Sequence, residues 1–288
     1  MTRIVVDSTC DLPEDKMKAM GIEMVPLKVH FGDEAFRDKI DLDEEAFFAR
    51  LEKASQLPTT SQPSPGDFEA VYSRIPEGEP IVSIHIAHQL SGTIQSAKLA
   101  AEQMPGREIH IVDSGNTTWV AGLLALEAAE AVQAGKPVAE VVKHVESLVP
   151  RLRLLAILDT LKYAVMGGRV SRVQGAIGGL LHVKPMLLLV DGEIDRMPPA
   201  RTWGQAGQKV LDDIKAHGGA DRIAVIHARA PEAGRTIKAT LEREPLRQGH
   251  SRRDNRPRDR NPLRARRRGR RLHRQAGGLG WRFQPRPQ

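Results

Sequence analysis

The 288-residue chain carries 43 Lys+Arg against 36 Asp+Glu, with one cysteine and 4% aromatic residues. The lone Cys10 excludes an internal disulfide framework and fits a reducing compartment, and no apolar run approaches the roughly 18–20 residues of a membrane-spanning helix. The net charge of +7 is a poor guide to partners: residues 247–288 hold 15 Arg, 2 Asp and no Lys, so the rest of the chain is acidic, and an argument for nucleic-acid binding would concern that tail alone.

The chain opens directly into an apolar run, Ile4-Val5-Val6. No signal peptide is therefore expected, and a cytoplasmic protein is. Further strand candidates lie at 24–29, 81–86, 109–112, 154–158, 185–190 and 223–226, alternating with helical patterns. That alternation predicts an α/β protein with a mainly parallel sheet in its first part. The 122–134 segment is nearly all apolar or small and is expected to be a helix sandwiched in the interior. The next segment places Val138, Val141, Val142, Val145 and Leu148 at helical spacing behind Pro137, with His144 on the polar side as a solvated histidine. The length allows two domains, with a boundary near Pro150: 1–150 and 151–246.

Four loops at strand ends carry hydroxyls and glycines. They are Asp7-Ser8-Thr9, the proline-restrained Thr59-Thr60-Ser61-Gln62-Pro63-Ser64, Leu90-Ser91-Gly92-Thr93, and Val112-Asp113-Ser114. Each reads as capping chemistry or as an anion site, evenly at the second and third and with capping favoured at the first and fourth. In a parallel sheet such loops gather along one edge, where ligands bind. Nucleotide-binding glycine loops and the serine-nucleophile elbow are missing, and the histidines show no metal-ligand spacing. Ser91 with His85 or His88 would be the hydrolase reading. The small apolar stretch 176–181 is either core or the wall of an apolar pocket.

These motifs, together with Gly167-Gly168-Arg169-Val170, Lys184-Pro185, Asp191-Gly192-Glu193 and Arg201-Thr202, occur in an order that resembles the DegV family over roughly residues 3–230. Its members are the fatty-acid-binding subunits of bacterial fatty-acid kinase. The resemblance implies two α/β domains with a long-chain fatty acid between them. It implies a carboxylate held by Thr60 and Ser91, with Ser61, Gly92 and Thr93 as neighbours. Arg201 and Arg169 would contact the headgroup or the partner. The chain itself would be a lipid-binding carrier without cofactor or metal, and a fatty-acid kinase catalytic subunit would form the acyl phosphate. The competing reading is a small-molecule phosphotransferase or hydrolase that uses the same loops.

The departure from the family is at the end. Family members close with a strand and a Gly-Thr-His segment followed by Gly-Pro-Gly; this chain has neither motif, and neither His250 nor His273 stands in such a setting. One sheet strand is therefore expected to be lost, and 247–288 is expected to be a disordered arginine-rich tail. Arginine without lysine is what an out-of-frame reading of GC-rich codons gives; a plain disordered tail and a nucleic-acid-binding arm at 247–274 are the other readings.

Overall fold

The computed structural model describes residues 1–170 and 182–243, and the backbone of 279–282. The 176–181 stretch and the rest of the arginine-rich tail lie outside the described residues. In chain order the elements are β1 (Arg3–Asp7), α1 (Glu14–Met20), β2 (Ile22–Val25), β3 (Lys28–Phe31), β4 (Glu34–Arg37), α2 (Glu44–Lys53), β5 (Thr59–Ser61), α3 (Pro65–Tyr72), β6 (Ile81–His85), α4 (Thr93–Glu102) and β7 (Ile109–Asp113). They continue with α5 (Thr118–Gln133), α6 (Val138–Leu148), β8 (Leu152–Ile157), α7 (Lys162–Met166), β9 (Lys184–Val190), β10 (Glu193–Ala200), α8 (Trp203–Ala216), β11 (Arg222–Val225), α9 (Pro231–Glu242) and β12 (Leu279–Arg282).

The first sheet has the order β2-β1-β6-β7 and is parallel throughout. Its central strands read as continuous apolar runs because both faces are covered. Val5 and Ile81 pack on Phe68 and Tyr72 of α3 and Ala97 of α4. Ile4, Val6, Val82 and Ile84 pack with Val120, Leu124 and Ala128 of α5. The expected interior helix is α5, whose residues from Trp119 to Ala129 are all buried. Gly122 lets it approach the loop after β1, since a Cβ there would stand 2.7 Å from the Cys10 carbonyl oxygen.

The second sheet, β10-β9-β8-β12-β11, is antiparallel. Its one face takes α8 and α9 through Leu155, Val210, Ile214 and Ile237. Its other face, through Leu154, Leu189 and Ala224, joins the same core as α5. One of the apolar clusters therefore runs across Pro150 and joins the two sheets.

Three expectations change. The 24–29 run is not one strand: Pro26 has no N–H for a ladder, so β2 ends at Val25 and β3 starts a separate antiparallel sheet, β4-β3-β5. His144 is not simply solvated, because its Nε2 lies 3.2 Å from Glu127 Oε2 across the α5–α6 contact. The strand expected to be lost is present: Leu279–Arg282 pairs with β8 on one side and β11 on the other.

Candidate functional site

The carboxyl ends of β1 and β6 meet β5 at one edge of the molecule. There Asp7, fully buried, ties the two loops together. Its Oδ1 accepts hydrogen bonds from the Thr9 amide (2.9 Å) and hydroxyl (2.5 Å), and its Oδ2 accepts from the Ile86 amide at 2.9 Å. His85 Nδ1 lies 3.2 Å from the same Oδ2, and the chain continues through His85 Nε2 to Ser83 Oγ (2.7 Å) and Tyr72 Oη (2.8 Å). Burial pushes the Asp7 carboxyl up, but His85, Thr9 and the Ile86 amide outweigh it and hold it below the ordinary carboxylate range. Cys10, next in this loop, is buried, and burial pushes its thiol up to about 12, so it stays an inert apolar filler.

Thr60 is central to β5, paired with Val29 of β3. The loop read as proline-restrained is thus partly a strand, and Ser64 caps α3 in a capping box with Asp67. Ser61 Oγ lies 2.9 Å from His30 Nε2. Gln62 reaches across to α4, its Nε2 donating to Ser96 Oγ at 3.1 Å. Ser91 Oγ and Thr93 Oγ1 are 2.9 Å apart. Gly92 forms the N-terminal cap position of α4 without a side-chain cap, so the first N–H groups of that helix retain their capacity to meet an anion. The Val112-Asp113-Ser114 loop plays a supporting part: Asp113 Oδ2 sits 2.6 Å from His88 Nδ1, while Ser114 closes its own turn on Asn116.

Two cavities meet at these residues. One, of about 580 Å³, is lined by Thr60, Ser61, Gln62, His88, Gln89, Ser91, Gly92 and Arg169. The other, of about 620 Å³, is lined mainly by apolar side chains, among them Val29, Phe47, Phe48, Ile86, Leu154, Leu187 and Ile194. Leu27, Thr60, Leu90, Ser91 and Arg169 belong to both walls. A polar chamber therefore adjoins an apolar one, between the first sheet's loops and the inner face of the second sheet. In the apolar chamber one charged pair stands out, Lys39 Nζ donating to Asp11 Oδ1 (2.7 Å) and to the Ser8 carbonyl (2.6 Å).

Of the residues singled out in the sequence, Thr60, Ser61, Ser91, Gly92 and Arg169 come together around the polar chamber. Thr93 is buried behind Ser91. Arg201 lines neither chamber; it is exposed at the start of α8, its amide donating to Gln205 Oε1 at 2.9 Å. No hydrogen bond joins Ser91 to either histidine: His85 faces Ser83 and Asp7 in the core, Ser91 faces Thr93, and His88, which shares the polar chamber with Ser91, turns its Nδ1 to Asp113. Among the described residues no cluster of His, Cys, Asp or Glu could hold a metal ion, and no helix is long and apolar enough to cross a membrane. Sequence reasoning did not single out Phe47, Phe48 or Leu27. The signal for the first two was an aromatic pair on a helix otherwise charged, Glu44-Glu45-Ala46-Phe47-Phe48-Ala49-Arg50.

This fold defines an α/β protein with a polar chamber beside an apolar one. A sequence profile of the DegV family, described as uncharacterised proteins, matches residues 1–254. The DegV domain-containing protein of Streptomyces coelicolor is 38% identical over 243 residues, covering 83% of this chain and 85% of that protein. Protein DegV of Bacillus subtilis is 34% identical over 248 residues, 84% and 88% of the two chains. Among solved structures, a fatty-acid-binding DegV family protein from Thermus thermophilus superposes with a TM-score of 0.81 at 27% identity, over 99% of this chain and 100% of that one. The B. subtilis DegV structure, described as a fatty acid binding protein, gives 0.78 at 28% identity, over 99% and 100%. The chain belongs to the DegV family.

Proposed function

We propose that this protein binds a long-chain fatty acid, carboxylate in the polar chamber and acyl chain in the apolar one, and presents it to a kinase subunit that converts the carboxylate to an acyl phosphate. The observation that carries the reading is the shared wall of Thr60, Ser91 and Arg169 where the two chambers meet. A carboxylate leaving water needs several donors, and two hydroxyls, a guanidinium and the first amides of α4 provide them. The acyl chain supplies the affinity: at about 0.8 kcal/mol per buried methylene, a chain with about 14 methylenes gains roughly 11 kcal/mol before ordering costs. The solved relatives described as fatty-acid-binding support the same ligand class. Arg201, exposed and away from both chambers, is then a candidate for the partner surface.

The test is to purify the chain, extract it with organic solvent and identify the lipid by mass spectrometry, alongside titration with free fatty acid. About one fatty acid per chain is expected. A chain that yields no lipid and binds no added fatty acid refutes the proposal. Acyl phosphate formed from ATP by a fatty-acid kinase subunit only when this protein is present tests the second half.

A further inference from the structure

Helix α2 has no buried side chain, which is unusual for a ten-residue amphipathic helix in the middle of a chain. Its aromatic pair instead faces the apolar chamber, where Phe47 and Phe48 form part of the wall. Phe47 leans on Phe31 of β3 with ring centroids 5.9 Å apart, and on Phe48 at 5.4 Å. Weak burial leaves such a helix little intrinsic reason to stay down over a cavity.

On its own side of the chamber α2 is tied to β4 by Arg50, which donates to Glu34 Oε2 at 2.9 Å and lies over the Phe36 ring; from the far side one residue holds it. Arg229, just before α9, donates from Nη2 to Glu45 Oε2 at 2.8 Å and from Nη1 to Glu52 Oε1 at 3.1 Å. Its guanidinium lies 4.6 Å from the centroid of the Phe48 ring. Glu45, Phe48 and Glu52 are spaced three and four residues apart, so they form one ridge of the helix, and the planar fork spans it. The next residue back, Ala228, is itself on the chamber wall. Arg229 achieves this reach at a cost in backbone energy, because its φ of 47° lies in the left-handed region that suits glycine.

We propose that Arg229 is a positioning residue for the ligand: by clasping Glu45, Phe48 and Glu52 it keeps α2 closed on the apolar chamber and so sets how long an acyl chain stays bound. This rests on the fatty-acid reading above. Each ion pair is exposed and individually weak, so the clasp is built to open, and salt loosens it.

The experiment uses the full chain and cis-parinaric acid as the fluorescent ligand, with release followed by stopped flow. Arg229→Gly relieves the left-handed backbone while removing the clasp. It is expected to melt no lower than the wild type and yet to release the ligand about five- to tenfold faster. Arg229→Lys, which keeps the charge but loses the fork, should fall between. Wild-type release should accelerate with added salt, and release from Arg229→Gly should respond far less. In the ligand-free protein, the amides of residues 44–53 should exchange hydrogen faster in Arg229→Gly than in the wild type. Unchanged release from Arg229→Gly overturns the proposal, and so does unchanged exchange of residues 44–53. A wild type that takes up no parinaric acid refutes the fatty-acid reading, and the exchange of residues 44–53 then decides the clasp on its own.

Discussion

Asp7 Oδ2 accepts the Ile86 amide at 2.9 Å while its Oδ1 accepts Thr9, so one buried carboxylate locks the loop after β1 to the loop after β6, and both loops reach the apolar chamber. Four donors converge on its two oxygens if His85 Nδ1 carries a proton. Asp7→Asn puts an amide N–H against at least one of those donors whichever way it is turned. The substitution should destabilise the fold by about 2–4 kcal/mol at neutral pH. The sign of the pH dependence follows from the direction of the shift. Asp7 is held below the ordinary carboxylate range, so its contribution is full above roughly pH 4 and is lost as pH falls through its folded value. Denaturant melts of both proteins from pH 7 downward should therefore converge in acid. A constant difference across that range would contradict the role given to the ionised carboxylate.

Gly92 stands where α4 begins, and a Cβ built there would lie 2.2 Å from Gln62 Oε1. Its φ of −75° is open to any residue, so the conflict is purely steric. Gly92→Ala should therefore fold normally but push the Gln62 side chain aside, breaking its bond to Ser96 and reshaping the polar chamber. We expect fatty-acid affinity to fall about tenfold, about 1.4 kcal/mol, with a melting temperature within a few degrees of wild type. Isothermal titration beside a thermal melt separates the two effects. Equal affinity would show that the chamber tolerates the displaced amide.

Much of the parallel sheet was legible because β1 and β6 are short apolar runs flanked by turn chemistry, and α5 announced its burial by composition alone. The hydroxyl loops were legible for the same reason: caps and anion sites use the same residues, at the ends of strands. What single-segment patterns could not give was the partnership between distant segments. Thr59–Ser61 is a fully exposed three-residue strand without alternation, and its pairing with β3 is decided by Pro26 breaking the strand before it. The wall of the apolar chamber draws Phe47, Leu154 and Leu187 from three elements, each of which reads locally as ordinary amphipathic or core sequence. Arg201 followed the family pattern, yet the fold carries it to the exposed start of α8, away from both chambers.

Thr60 reaches the shared wall from β5 and Ser91 from the loop between β6 and α4, so their contributions to a bound carboxylate should be separable. Thr60→Ala and Ser91→Ala should each raise the Kd for a long-chain fatty acid by about ten- to a hundredfold, the scale of one hydrogen bond to a charged group. Arg169→Ala should cost at least as much. The methyl ester of the same acid, which carries no charge, should bind more weakly than the acid to the wild type and respond little to any of the three substitutions. Competition titrations with acid and ester measure this directly. If the substitutions weaken ester and acid equally, these residues shape the apolar chamber and do not recognise the carboxylate.

The strand Leu279–Arg282 is separated by 36 residues from the end of α9, yet it is central: β8 and β11 lie on either side, with Gly280 opposite Leu154 and Ala224. A central strand uses its N–H groups in the ladder, and a proline there removes a donor and wedges the neighbouring strands apart. Gly280→Pro is therefore expected to destabilise the protein by at least about 1 kcal/mol, a drop of some 2–4 °C in Tm for a chain of this size. Deleting residues 279–288 should do more, because it leaves the facing edges of β8 and β11 with unpaired groups next to the apolar core. The same deletion should loosen fatty-acid binding, since Leu154 and Ala156 on β8 and Ala228 beyond β11 are walls of the apolar chamber. Should both variants melt and bind like the wild type, the sheet closes without this segment. Should both fail together, Leu279–Arg282 is an integral strand of the second sheet.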